Sequence, residues 1–295
     1  MNYFQDNNPF FEPSVYYLGS DGTGKTVSDF PLIYFSVAQL WKIFGHHEFI
    51  YRLIVLLFFF SSLIALFKIF ENTLKDSVLA IIFPLFLFTS PTLVYYANNF
   101  LMDIPAFSLA IIGLYFFFRF YQSSKNKYLY LFIFFNAIAG LLKISSLMSF
   151  IAVLGLFMLE FFNVKLNPDR KIFQHPLKQI FPLISVLIIQ LIWYMYASYY
   201  NSNNNAGIFL IGYLPIWDLN ISQIKITLDA INEHIKWDYF RKETQFVFIF
   251  MFIIVLVFYK RINKIMLFFT IFLSTGFLLF ILLFFKPLKT MITIQ

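Results

Sequence analysis

The sequence predicts an all-α fold, a polytopic transmembrane helical bundle of about seven to eight spans with amphipathic helices outside it. Three observations carry that prediction. Hydrophobic residues make up 60% of the 295 positions and charged residues only 13%, about half the charged share of an ordinary soluble domain. Apolar runs near twenty residues long recur, as a helix crossing a bilayer requires. Lys and Arg gather in alternate connections between these runs, the pattern that orients membrane proteins. The formal charge of +7 therefore reflects membrane sidedness and gives no reason to expect a nucleic acid partner. Cysteine is absent, so disulfides and thiolate metal sites are ruled out.

Residues Met1–Asp29 are polar and aromatic, without the basic start and apolar core of a signal peptide. Pro31–Phe44 is amphipathic and too short to span, which predicts a helix lying at the interface or re-entering. Spans are expected at about 49–70, 77–96, 104–121, 127–143, 147–163, 180–199, 244–259 and 265–285. Lys68 and Lys75, then Arg119, Lys125 and Lys127, then Lys165, Arg170, Lys171 and Lys178, then Lys260, Arg261 and Lys264 fall on one side, the expected cytoplasmic one. The connection Ala97–Ile104 has no basic residue, so it is expected outside, with residues 1–48, Lys143 and the loop 201–243. The chain thus divides into an external loop and interfacial helix (1–48), a transmembrane core (49–200), an external loop carrying an amphipathic helix (201–243) and a C-terminal hairpin (244–295). A long polar start that must cross the membrane with no helix before it suggests that the sequence begins inside a larger protein.

In the long loop, Ile221, Ile224, Leu228, Ile231 and Ile235 recur at three- and four-residue spacing, one stripe of a helix. Asn220 and Gln223 fit a capping box at its start, and Trp217, Trp237 and Tyr239 are interfacial anchors. Such a helix would roof a site below it or dock another subunit.

Asp103 is the only charged residue between Asp76 and Arg119. A carboxylate at mid-bilayer costs about 2.5–3.5 kcal/mol, and Asn98, Asn99 and Pro105 mark a turn, so Asp103 is expected at a membrane–water boundary. It is either a solvated turn residue or part of a site. Lys143, where one span gives way to the next on the same side, either snorkels or serves that site as its cation. Arg52, one turn into the first span, could snorkel, hold a phosphate or pair with Asp103.

Gly19-Ser-Asp-Gly-Thr-Gly24-Lys25-Thr26 matches the P-loop pattern letter for letter. That loop works only between a buried strand and a helix opening at the Lys. Here Pro31 follows within six residues, so a Gly-rich turn is expected. His46, His47 and Glu48 lack the HExxH spacing and would bind a metal only with ligands from elsewhere. The sequence names no metal site and leaves the cofactor open, a divalent metal among the options.

Several motifs together resemble a family. Ser28-Asp-Phe-Pro-Leu-Ile-Tyr-Phe35, then Leu40-Trp-Lys-Ile-Phe-Gly45 and Glu48-Phe-Ile-Tyr-Arg-Leu53, are similar to an ordered run in glycosyltransferase family 39-like proteins. These are GT-C membrane enzymes that include protein mannosyltransferases and the lipid A aminoarabinose transferase. Ser90-Pro91, Tyr95 and Leu101-Met-Asp-Ile-Pro105 resemble a second segment of that family, and Gly140-Leu-Leu-Lys143 resembles a third. The likeness covers about residues 25–150. It implies a GT-C-like bundle in the bacterial cytoplasmic membrane that moves a sugar from a polyprenyl-phosphate donor to a lipid, glycan or protein acceptor on the outer face. By the same resemblance Asp103 is a catalytic acid of the site, Lys143 and Arg52 contact phosphate, and Asp29, Asn98 and Asn99 bind substrate. The Phe- and Leu-rich spans would hold the lipid. The family's principal catalytic Asp is expected upstream of Met1. The rival functions are a transporter or flippase of lipid-linked sugars, which needs polar groups at mid-bilayer, and a non-catalytic membrane subunit.

Overall fold

The structure, a computed structural model, describes residues 2–16, 22–167, 170–204, 215–230, 240–261 and 263–283. Among these residues the regular structure is all helical, with a single isolated bridge between Ser14 and Lys25 and no strand. Eleven α-helices follow in order: α1 Leu32–Phe44, α2 Glu48–Leu74, α3 Ser77–Phe88, α4 Pro91–Ala97, α5 Asp103–Ser123, α6 Asn126–Leu142, α7 Met148–Phe161, α8 Pro176–Asn203, α9 Ile221–Ala230, α10 Lys242–Val257 and α11 Lys264–Leu283. A 3₁₀ turn over Ile144–Leu147 leads into α7.

Local chemistry sets the helix limits. Asp76 Oδ1 accepts from the amides of Val78 (2.8 Å) and Leu79 (3.0 Å) and caps α3, as an aspartate at that position should. Ser90 caps α4 through Leu93 N at 3.3 Å, with Pro91 as the first helical residue, where its missing N–H costs nothing. Pro105 falls in the first turn of α5 for the same reason. Lys75 and Ser124 end α2 and α5 in the left-handed conformation, at φ 59° and 55°.

Five helical segments are long and apolar enough to cross a membrane: Glu48–Leu74, Asp103–Ser123, Ile144–Phe161, Pro176–Asn203 and Lys264–Leu283. The protein is therefore a multi-pass integral membrane protein. The span expected at 77–96 is instead α3 and α4, bent by 78° at Thr89–Ser90; counted as one, it makes six. The expected seven to eight is thus too many by this measure. The helices at 127–143 and 244–259 do form, as α6 and α10, but their 17 and 16 residues reach only about 25 Å against about 30 Å of hydrocarbon.

Of three apolar clusters among the described residues, the two larger hold the bundle. One packs Phe117, Phe120, Phe132, Phe150 and Phe157 of α5, α6 and α7 with Val186 of α8 and Ile265 of α11. The other packs Ile33 and Val37 of α1 with Val55, Phe59, Leu109 and Leu142. The α5–α6 pair approaches closely at Gly113, where an added Cβ would lie 2.3 Å from Asn136 Nδ2. Because α2, α5 and α7 run one way and α6 and α8 the other, one end of the bundle collects Glu48, Asp103, Leu142 and Asn203. The opposite end collects the basic connections, where Arg170 Nη1 donates to Ser124 Oγ at 2.9 Å and its other nitrogen bonds the carbonyls of Tyr121 and Gln122.

Of the stripe in the long loop, Ile221, Ile224 and Leu228 fall in α9, Ile221–Ala230; Ile231, Ile235, Trp237 and Tyr239 lie outside the described residues. Its capping box is present in both directions, with Gln223 N donating to Asn220 Oδ1 at 2.8 Å and Asn220 N to Gln223 Oε1 at 3.1 Å. Ile221 and Leu228 are exposed.

Candidate functional site

The segment before α1 is clamped between two helix ends. Asn201, near the end of α8, accepts from Val27 N at 2.9 Å and donates to Val27 O at 2.7 Å. Trp193 Nε1 donates to Ser28 O at 3.2 Å, and Phe30 N donates to Leu141 O at 3.1 Å. Phe30 also packs edge-on against Trp193, with ring centroids 4.8 Å apart. These contacts pin residues 27–30 across the ends of α6 and α8, and so bring Asp29 beside Lys143.

Lys143 follows the last residue of α6 and Asp103 is the first of α5. The helix hairpin sets these termini side by side, and Lys143 Nζ lies 3.6 Å from Asp103 Oδ1. Each charge also suits its own helix end, since an acid stabilises an N-terminus and a cation a C-terminus. The pair is half-exposed. Asp29 is the third member. Burial pushes its carboxyl above the ordinary carboxylate range, Lys143 draws it back, and the charge of Asp103 adds to the rise. Two carboxylates in unequal surroundings around one ammonium can divide acid and base roles.

Two tyrosines line the same place, and sequence reasoning gave them no role. Burial lifts the Tyr34 hydroxyl to about 12, with the charges of Asp29 and Asp103 adding to it. Tyr51 stands beside it, with ring centroids 6.0 Å apart, and donates its hydroxyl to Phe100 O at 3.0 Å. The signal was present, since both lie inside the quoted motifs. What was missing was the fold that sets α1 against α2.

Arg52 lies at the same end but pairs elsewhere. Its guanidinium donates to Asn98 O at 3.1 Å, reaches Glu48 Oε2 at 3.4 Å and sits 4.7 Å from the centre of the Phe100 ring. It therefore braces the α4–α5 connection and makes no ion pair with Asp103. Asn98 contributes that carbonyl after α4, and Asn99 Oδ1 accepts from Phe100 N at 2.7 Å.

The Gly-rich stretch does not form a P-loop over the residues described. Gly19, Ser20 and Asp21 lie outside them. Lys25 bridges to Ser14 in antiparallel fashion, and the next helix, α1, begins only at Leu32. Thr26 is buried with its hydroxyl 3.4 Å from Asn201 Oδ1, not poised for a magnesium ion. His47 precedes α2 and Glu48 opens it, while the His46 ring packs against Trp41 at 4.1 Å. Among the described residues no three His, Asp or Glu side chains group as metal ligands.

This fold and site define a multi-pass membrane protein with two carboxylates and an ammonium gathered at one end of its bundle. The chain belongs to the family described as dolichyl-phosphate-mannose-protein mannosyltransferase, which it matches over residues 28–196, more than half its length. Membership implies a membrane glycosyltransferase that draws on a polyprenyl-phosphate sugar donor. No curated protein and no solved structure matched the chain.

Proposed function

We propose that the protein transfers a sugar from a polyprenyl-phosphate carrier to a hydroxyl or phosphate of a lipid, glycan or protein acceptor, at the outer face of a bacterial cytoplasmic membrane. The Asp103–Lys143 pair, 3.6 Å apart with Asp29 beside it, is the observation that supports this reading most. Asp103, paired with Lys143, accepts the proton of the acceptor O–H. The freed oxygen forms a bond to the anomeric carbon, the bond from that carbon to the carrier phosphate oxygen breaks, and its electron pair leaves with the phosphate. Lys143 meets the charge that develops there, where a fixed cation contributes most. Asp29, whose pKa burial raises, and Tyr34 hydrogen-bond the sugar. Arg52, Asn98 and Asn99 shape the rim.

The basic connections at the far end of the bundle favour this orientation by the positive-inside rule. In the same reading residues 1–48 and 201–243 cover the outer face, 49–200 form the core and 244–295 a closing hairpin. The test is transfer by the purified chain in proteoliposomes supplied with short-chain prenyl-phosphate mannose, read as release of prenyl phosphate. Release that falls at least a hundredfold in Asp103→Asn supports the reading. Equal release by the variant overturns the assignment of Asp103.

A further inference from the structure

At the basic end of the α5–α6 hairpin, away from the Asp103 cluster, two cations converge on one ring. Arg119 Cζ lies 5.3 Å and Lys127 Nζ 5.0 Å from the centre of the Tyr128 ring, so the charges stand no further apart than those distances together. Arg119 also donates from Nη2 to the Tyr128 hydroxyl at 3.4 Å. Among the described residues neither cation forms an ion pair. The sequence has no acidic residue between Asp103 and Glu160. Glu160 is buried, and its two oxygens accept from the amides of Ile172 and Phe173, each at 2.9 Å. Arg170 adds positive charge to the same turn, with its donors committed to Ser124 and to the carbonyls of Tyr121 and Gln122. Like charges held this close repel unless an anion joins them.

Depth and lining indicate which anion fits. Arg119 stands one turn before the end of α5, about 6 Å inside it. The 21 residues of α5 cover about 30 Å, close to the hydrocarbon thickness of a bilayer, so Arg119 lies near the headgroup boundary. Beneath the cations runs a column of half-buried rings along α5 and α6. Tyr128 stacks on Phe116 at 6.4 Å, and Phe116 on Phe135 at 5.4 Å, with planes 17° and 5° apart. Phe135 lies two turns along α6 from Tyr128, about 10 Å deeper. Cations at the headgroup level above an apolar column match a molecule with a phosphate head and an acyl tail.

We propose that this corner is a site for one anionic phospholipid, of the phosphatidylglycerol type, in the leaflet at the basic end. Its phosphate lies between Arg119 and Lys127 and accepts from the Tyr128 hydroxyl, and one acyl chain runs along Phe116 and Phe135. Arg119 offers two phosphate oxygens a planar fork, and Lys127 sets a second cation beside it. A zwitterionic lipid brings its own cation to the same place, where the two basic side chains oppose it. The bound lipid ties α5 to α6 at the end opposite Asp103 and Lys143, and so steadies the hairpin that carries both.

The test is native mass spectrometry of the full chain in detergent, titrated with equimolar phosphatidylglycerol and phosphatidylcholine. One phosphatidylglycerol per chain should be retained saturably, in clear preference to phosphatidylcholine, and should raise the melting temperature. Lys127→Gln, a change at an exposed side chain, should weaken retention about fivefold and Arg119→Gln about tenfold. Lys264→Gln removes the same charge from another basic connection and should leave retention unchanged. Equal retention of phosphatidylcholine would reduce the contact to ordinary bilayer lipid, and equal weakening by Lys264→Gln would reduce it to general surface charge; either overturns the site. Displacement of phosphatidylglycerol by inorganic phosphate at matching concentration would assign the cations to a free anion and overturn the lipid.

Discussion

Lys143 and Asp103 stand 3.6 Å apart because an antiparallel hairpin closes the end of one helix against the start of another. Forty residues of chain separate them, yet the close approach at Gly113 and Asn136 holds their two helices together. If they act as one unit, their effects on transfer should not add. Asp103→Asn and Lys143→Ala should each lower kcat by about 10²–10³, and the double variant should lose little more than either single one. Full additivity in the transfer assay would separate their roles.

Sidedness has a direct test because the chain contains no cysteine. Single cysteines at Asn99 and Ser124 mark the two ends of α5. An impermeant thiol reagent on intact cells should label the position 99 variant and leave the position 124 variant until the membrane is opened. The reverse pattern would place the Asp103 cluster on the cytoplasmic side.

Asp29 carries a stability cost that depends on pH. Its folded pKa is raised above the ordinary 3.8, chiefly by burial, so the folded state holds this proton more tightly than the unfolded chain. Its contribution is most favourable below 3.8 and is lost as pH rises through the raised value. Asp29→Asn should therefore melt higher than the parent at neutral pH, and the gain should shrink as the pH is lowered toward 4. A constant difference across that range in a thermal-shift series would contradict the assignment. In the transfer assay the same variant should lose activity, which sets function against stability at this position.

Asn201 bonds both the amide and the carbonyl of Val27, across 174 residues of chain. Asn201→Ala leaves two buried backbone groups unpaired, a cost of about 1–3 kcal/mol for each such group. The segment before α1 should loosen first. Limited proteolysis in detergent should cut near residues 22–30 at least several times faster in the variant, while the α5–α8 bundle stays protected.

Gly113 is tight for a different reason. A methyl group there would lie 2.3 Å from Asn136 Nδ2, and Asn136 is itself held, donating to Phe132 O at 2.9 Å. Gly113→Ala should cost about 1–3 kcal/mol through overpacking, despite the better helix propensity of alanine. A melting temperature equal to the parent's would show that Asn136 can swing aside.

Much of this architecture was legible in the residues. Composition and run length alone separate a polytopic helical membrane protein from a soluble domain, because hydrocarbon admits only segments that satisfy their own backbone. The ordered motifs around Asp29, Arg52, Asp103 and Lys143 resemble the family to which the chain belongs. The capping box at Asn220 and Gln223 was readable because it needs only four residues and their local geometry.

Other features required the fold. No pattern in the run 77–96 announces a 78° bend at Thr89–Ser90, since Ser-Pro starts helices as readily as it interrupts them. The sequence set Lys143 with Asp103 and left Arg52 free to snorkel, hold a phosphate or pair with Asp103; hairpin geometry handed Asp103 to Lys143 and left Arg52 to Glu48, Asn98 and Phe100. Asp29 reached the pair only through Asn201, Trp193 and Leu141, three contacts made across more than a hundred residues of chain. Local chemistry sets where helices start and which faces are apolar. Which charged ends meet is decided by packing between distant segments, and that is a property of the folded bundle.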